Sequence, residues 1–487
     1  MTEAETVQYT TVDASATAET DYTATSGTLT FAPGATTRAV PVQVTPDGSD
    51  SGYSFLLELS EPSLGTQITT ASASAILSAG PTSMLTVSSN GTTEYTDGKA
   101  RPVLVHLSGP GGVTIYRSAL GGNAVEILVG GTTSASTLTI DTRGAGHTPV
   151  GEIYVYGPLR ALVAPTADLT GSLVIDGTLG RATLGNVTGP GKIVLDGTTG
   201  QPSLSLGAVS DVSVTSMAHL GTVSATSWSA STYGTIMAPA VAALHVNGAF
   251  APDVSLTGTA LDLGSAAVGN VTGGTWTVAG RIGTVSAKST AAGWSATFAG
   301  AVNSFATAGD LAGSFTAASV GTLRVGGDLS SATVALTAAA GRGYDLATLR
   351  VGGTVSGSTV RSAGNVNAVT VGAITGSTVL VGVAGTVTAL PAATTDFTAA
   401  ARLNTFTVTG IRKVTAGVTA TDVAAATIGQ VRVTGVQTAN GGTPFGFAAE
   451  SLRVYDDLEP GKRAYVWTAR DGAAALTTTG DYKVTIL

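Results

Sequence analysis

Leu349-Arg350-Val351-Gly352-Gly353-Thr354-Val355-Ser356-Gly357-Ser358-Thr359-Val360-Arg361 is the stretch that decides the fold. Apolar and polar residues alternate over two to four positions. Glycine then interrupts, and a new short run begins. A period of two is the signature of a strand with one face buried; an amphipathic helix would repeat every 3.6 residues. Three short runs in one unit imply three narrow parallel sheets around one core. Leu349, Val351, Val355 and Val360 then point inward, and Arg350 and Arg361 point out. Glycines at the breaks suit corners, where unusual dihedrals are needed.

The unit recurs. Its marker is apolar-x-x-apolar, often with Gly second, as in Leu220-Gly221-Thr222-Val223, Ile282-Gly283-Thr284-Val285 and Val320-Gly321-Thr322-Leu323. Further copies begin at Val241, Val302, Leu346, Val366, Leu403 and Ile428. Most successive copies are roughly 18–26 residues apart, the range of a solenoid coil. A leucine-rich horseshoe would need Leu and Asn at fixed offsets, and a propeller would need longer strands. One coil cannot bury its apolar face alone, whereas stacked coils bury a continuous ladder at ~25 cal/mol per Å². At ~4.8 Å per coil, residues 170–440 would build a rod roughly 60–70 Å long.

Composition agrees. Of 487 residues 65 are Gly, 11% are charged and 5% are aromatic, and there is no Cys. Aliphatic side chains with Ser and Thr favour strands. Without cysteine, a disulfide framework and a thiolate metal site are excluded. Residues 1–80 hold nine acids and one base, while residues 81–487 hold 22 of each. No basic stripe is visible, so nucleic acid is not an expected partner. No apolar run is long enough to span a bilayer. Met1 to Val7 lacks the basic and apolar regions of a signal peptide, so none is expected within this chain. The expected division is an acidic sandwich over 1–80, an entry cap with irregular first coils over 81–165, a parallel β-helix over 166–440, and a closing cap over 441–487. The closing cap collects Phe445, Phe447, Tyr455, Tyr465, Trp467 and Tyr482.

Residues 5–78 read as antiparallel strands at Thr6–Val12, Gly27–Phe31, Ala39–Val44, Ser54–Leu59 and Thr70–Leu77, with a turn at Ala32-Pro33-Gly34. Asp13, Ala16-Thr17-Ala18, Asp21-Tyr22, Gly27-Thr28-Leu29 and Phe31-Ala32-Pro33-Gly34 resemble the middle of a Calx-β domain. The resemblance implies a partial sandwich, with the family's first one or two strands lying before Thr2 and an unpaired edge open to strand addition by another chain. It also implies calcium ligands at one tip of the sandwich. Asp21 and Asp47 match family carboxylates, and Asp50 stands beside Ser51, where a ligand Glu is usual. Ca²⁺ wants six to eight oxygens. With Pro46 in place of one family acid and no acids at Ile76–Gly80, calcium binding is expected to be weak or absent.

The remainder, including the Gly-Gly coils and Asn440-Gly441-Gly442-Thr443-Pro444-Phe445, is similar to large secreted proteins of planctomycete-type bacteria, which combine Calx-β domains with β-helical coils. That implies an all-β fold, a right-handed parallel β-helix of three sheets after a partial Calx-β sandwich. The expected role is a non-enzymatic secreted or cell-surface structural or adhesive protein, with cell-surface or matrix polymers as partners. The alternative is a carbohydrate-binding or carbohydrate-active β-helix. No catalytic set is expected. Asp310, Asp328 and Asp345 lie on different coils without a convincing partner for a catalytic site, and Asp456-Asp457 reads as a turn or capping pair near Lys462 and Arg463. His106, His147, His219 and His245 are dispersed, although His219 and His245 are about one coil apart. Trp228, Trp276 and Trp294 sit outside the strongest apolar positions; they are expected to pack under a loop, and the alternative is exposed rings that stack on sugars. Arg324 and Arg350 are expected one coil apart on an outer face, with Asp328 or Asp345 nearby.

Overall fold

The computed structural model describes residues 5–487 apart from 32–37, 39, 45–52, 64, 78–82, 119–121, 233, 339–342, 413, 459–464, 473–475, 477 and 478. The described residues form strands with two short 3₁₀ turns and no α-helix. A β-solenoid of about 15 turns occupies residues 137–457.

Three parallel ladders run through the coils. The first carries Leu138, Leu162, Ala182, Leu204, Val223, Leu244, Ala266, Val285, Phe305, Leu323, Leu349, Val369, Phe406, Val431 and Tyr455 as successive in-register rungs. All are buried. The second begins Leu169, Val187, Val209, Trp228, Phe250, Val271. The third passes through Ile193, Val214, Ile236, Val254, Trp276, Ala296 and Phe315. These ladders converge on one core extending from Val87 to Val484. The expected inward residues Leu323, Val325, Leu349, Val351, Val369, Val371, Val431 and Val433 are at most 2% exposed and lie in parallel strands.

The apolar-x-x-apolar marker has a geometric cause. In a straight strand residues i and i+3 face opposite ways. Leu220 and Val223 both face the core, so the chain turns a corner between them. The first apolar residue of each marker forms its own ladder, Leu220, Val241, Leu263, Ile282, Val302, Val320. Glycine at the second position is not there for an unusual dihedral, as the sequence reading had it. Gly283 and Gly429 lack a positive φ. A Cβ on Gly283 would lie 2.1 Å from the Gly264 carbonyl oxygen, and one on Gly429 would lie 2.4 Å from that of Asn404. Close stacking of coils excludes the side chain.

Both ends of the stack are covered, which removes open strand edges. Before the coils lie β5 (Ser83–Val87), β6 (Thr92–Thr96), β7 (Pro102–Ser108), β8 (Gly112–Arg117) and β9 (Ala124–Gly130). β7 runs antiparallel against β10 (Thr137–Thr142), and β9 pairs parallel with β11 (Thr148–Tyr156). At the other end Tyr465–Thr468 lies antiparallel on Ser451–Asp457, and Tyr482–Ile486 lies parallel on Phe445–Ala449. The Tyr455 and Tyr482 hydroxyls meet at 2.7 Å inside this aromatic end. A loop after Val381 covers the outer face at Leu380, Ala424 and Ala448, and Val383, Leu390 and Phe397 pack there as a satellite cluster.

The N-terminal sheet is antiparallel, in the order β2 (Ser26–Phe31), β1 (Glu5–Asp13), β3 (Ser54–Ser60), β4 (Ser72–Ile76). Its fully buried apolar residues are Ala16, Tyr22 and Phe55, and the two rings stack at 4.4 Å. Of the strand expected at Ala39–Val44, the described residues 40–44 form one bridge, Val44 to Tyr22. The turn expected at Ala32-Pro33-Gly34 lies outside the described residues.

Candidate functional site

Aspartate carboxylates, exposed at Asp253, Asp310 and Asp328 and buried at Asp262 and Asp345, meet the coil above. Asp310 Oδ1 accepts the Asp328 N–H at 2.8 Å, Asp328 Oδ1 accepts that of Thr354 at 2.7 Å, and Asp345 Oδ2 accepts that of Gly364 at 2.6 Å. Asp253 and Asp262 do the same for Thr275 and Gly280. Among the described residues none of the five forms an ion pair, yet each has a partner. The partner is backbone, which residue type cannot reveal. Corner N–H groups point away from the ladders and need an acceptor. A short acidic side chain one coil below supplies it.

The same device builds a polar groove in the first coils. Asp168 Oδ1 accepts the Asn186 N–H at 2.7 Å, and Asn186 Oδ1 accepts the Ala208 N–H at 2.9 Å. His147 Nδ1 lies 2.6 Å from the same Asp168 oxygen, with both side chains partly exposed. That bond places the neutral imidazole's proton on Nδ1 and leaves Nε2 as the acceptor. Lys99, Thr170, Thr188 and Ser210 line the rest of a groove of about 410 Å³. An imidazole oriented by a carboxylate is two-thirds of a nucleophilic triad. Among the described residues no hydroxyl hydrogen-bonds to His147 Nε2. The groove is equipped to exchange hydrogen bonds with a polyhydroxylated ligand. Sequence reading missed this pair, although a 21-residue separation is one coil and was available as a signal.

Beside the groove, the entry cap is locked by a buried ion pair. Asp97 is 4% exposed and meets Arg101 Nη2 at 2.7 Å. Burial opposes its ionisation, but hydrogen bonds from Arg101 and from the Arg101 and Lys99 N–H groups outweigh that and hold the carboxyl below its ordinary range. Burial pushes the neighbouring Tyr95 phenol up to about 12. Arg117 lies 5.1 Å over the Tyr95 ring.

An acidic face occupies the first coils. Glu126 and Glu152 are register partners on β9 and β11. Burial raises both carboxyls, and Glu152 adds repulsion on Glu126. Burial also raises Asp176 and Asp196, and Asp196 repels Asp176. Ser74 of β4 lies beside Glu152 and Tyr154, so the N-terminal sheet borders this face.

Other sequence candidates separate. Asp21 is 8% exposed, and its Oδ2 accepts the Thr17 N–H at 2.7 Å, closing its own turn. Asp47 and Asp50 lie outside the described residues. His219 and His245 do not stack: His245 is in register with Ser224, and Leu220, next to His219, is in register with Val241. Among the described residues no three His, Cys, Asp or Glu side chains are grouped to hold a metal. Trp228, Trp276 and Trp294 are buried, not exposed. They form a column with Phe250, at centroid distances of 6.3, 5.6 and 5.9 Å in turn from Trp228 to Trp294. Corner turning brings Trp228 inward out of phase with Ala225, whereas Trp276 alternates in phase with Val278. Asp456 is not in a turn. It sits in a strand opposite Arg432, 3.4 Å from its Nη2, and accepts from Gln430 at 3.0 Å. Lys462 and Arg463 lie outside the described residues.

The Calx-beta domain family matches residues 1–80. No curated protein and no solved structure matches the chain. Among the described residues no helix is long and apolar enough to cross a membrane.

Proposed function

We propose that this protein is a non-enzymatic, secreted or cell-surface structural rod that adheres to cell-surface or matrix polymers. The observation that carries the reading is the engagement of aspartates with the backbone of the next coil, which makes them part of the scaffold. The Calx-beta match and the solenoid are compatible with that role, as is the resemblance to secreted planctomycete-type proteins. The groove beside His147 is the contact we assign to a polymer's hydroxyl groups. The edge strands β2 and β4 offer a second route, strand addition by another chain. Calcium adds little: Asp21 already serves its own turn. Micromolar Ca²⁺ affinity in calorimetry, abolished by Asp21→Ala, would contradict that last point.

The test is co-sedimentation of the chain with insoluble polysaccharides and cell-wall material, with released reducing ends followed in parallel. Binding without release is expected, weakened by His147→Ala. The second reading, a carbohydrate-active enzyme, rests on the His147–Asp168 pair. It replaces the first if sugar is released and His147→Ala stops the release.

A further inference from the structure

The arginines of the later coils lack the neutralisation that the sequence led one to expect. Arg324 and Arg350 are register partners, both exposed, on the outer face of the first ladder. At ~4.8 Å between coils, like charges directly opposite are unfavourable. Asp328 and Asp345 are turned to backbone N–H groups instead. Farther along the same outer row Arg432 does face an acid, Asp456. Arg281 and Arg402 are exposed at the leading corner of this ladder, each directly before an apolar-x-x-apolar marker. Residues 231–440 contain ten bases against seven acids. Six of those acids, Asp253, Asp262, Asp310, Asp328, Asp345 and Asp396, accept backbone N–H groups. Among the described residues Arg281, Arg324, Arg350 and Arg402 form no ion pair. Arg281, Arg324, Arg350 and Arg402 lie in four different coils, so no basic stripe shows in the sequence; stacking assembles one.

The complementary charge is in the chain itself, where residues 1–80 hold nine acids and one base. Glu19 and Glu61 are exposed there. We infer that the arginine face at Arg324 and Arg350 docks the acidic N-terminal domain of a second copy. Eight rungs separate Leu162 from Leu323, about 38 Å of stack, so the two surfaces lie far apart along one rod. Such a contact joins different patches on the two molecules, and a repeat of it that does not close gives an open, staggered fibre. Long-range attraction between the patches speeds encounter and is screened by salt. The inference is independent of which polymer the rod contacts.

Sedimentation velocity of the full chain at low and high salt tests it. Concentration-dependent association is expected at low salt, lost at high salt, and weakened about tenfold or more by Arg324→Glu with Arg350→Glu. Glu19→Lys with Glu61→Lys should weaken it similarly, and mixing the two charge-reversed proteins should restore mixed association. Circular dichroism of each variant checks that the fold is retained. A wild-type chain that stays monomeric at low salt overturns the inference, as does association indifferent to the arginine reversal. If the monomer instead binds a polyuronate through Arg324 and Arg350, the face belongs to an anionic polysaccharide and self-docking is wrong.

Discussion

The N-terminal sheet and the coiled region carry opposite kinds of information. Among the described residues the sheet has three buried apolar residues in its own core, and the Calx-beta model matches this region. The coils share one core from Val87 to Val484 and match no known structure, yet their order follows from stacking alone. Specific turn chemistry makes the first region recognisable: Asp13 accepts from the Tyr22 hydroxyl at 2.6 Å and from the Ala18 N–H. Period and repetition make the second legible. A recognisable motif and a deep core are thus separate properties, and the less familiar region here is the better packed.

The widest gap between the two should appear on truncating the aromatic column. Trp276→Ala should destabilise the coils by about 3–5 kcal/mol, read as a lower denaturant midpoint, with the β1–β4 sheet's own exchange protection unchanged. Arg101→Ala leaves Asp97 buried without its partner and should cost about 3–5 kcal/mol, concentrated in the entry cap. Hydrogen exchange confined to 83–130 would show that localisation. Gly283→Ala forces a methyl group toward the Gly264 carbonyl and should cost about 1–3 kcal/mol, whereas ordinary glycine relief would stabilise.

The smallest effect is a pH dependence where the regions meet. Glu126, Glu152, Asp176 and Asp196 are raised, so the folded state favours their protonated forms. Their stabilising contribution is present below the ordinary carboxylate range and is lost as pH rises through the raised values. Asp97, lowered, acts in the opposite sense and loses its contribution as pH falls. Exchange in 124–130 and 148–156, corrected for intrinsic rates, should therefore quicken from mildly acidic to neutral pH. Glu126→Gln with Glu152→Gln should flatten that change.

Sequence reading recovered the ladders because Leu349, Val351 and Val355 alternate as buried strands must. It failed where the determinant lay one coil away. His147 meets Asp168 only through stacking, and Asp328 meets the Thr354 backbone, which carries no residue-type signal. Trp228 reaches the core because a corner shifts the phase: Ala225 and Trp228 are both buried although three positions apart. Glycine was credited with conformational freedom where the next coil in fact leaves no room for a side chain.

The central claim is that position along the rod depends on rung number and not on sequence separation. Spin labels on the outer row of the first ladder test it by pulsed dipolar distances. Ser205 and Ala306 are five rungs apart, and Ser205 and Thr370 are eight. The expected separations are about 24 and 38 Å at ~4.8 Å per rung. Thr407 lies 37 residues beyond Thr370 but only one rung on. Ser205 to Thr407 should therefore lengthen by only ~5 Å. A lengthening that instead tracked the 37 intervening residues would contradict the solenoid.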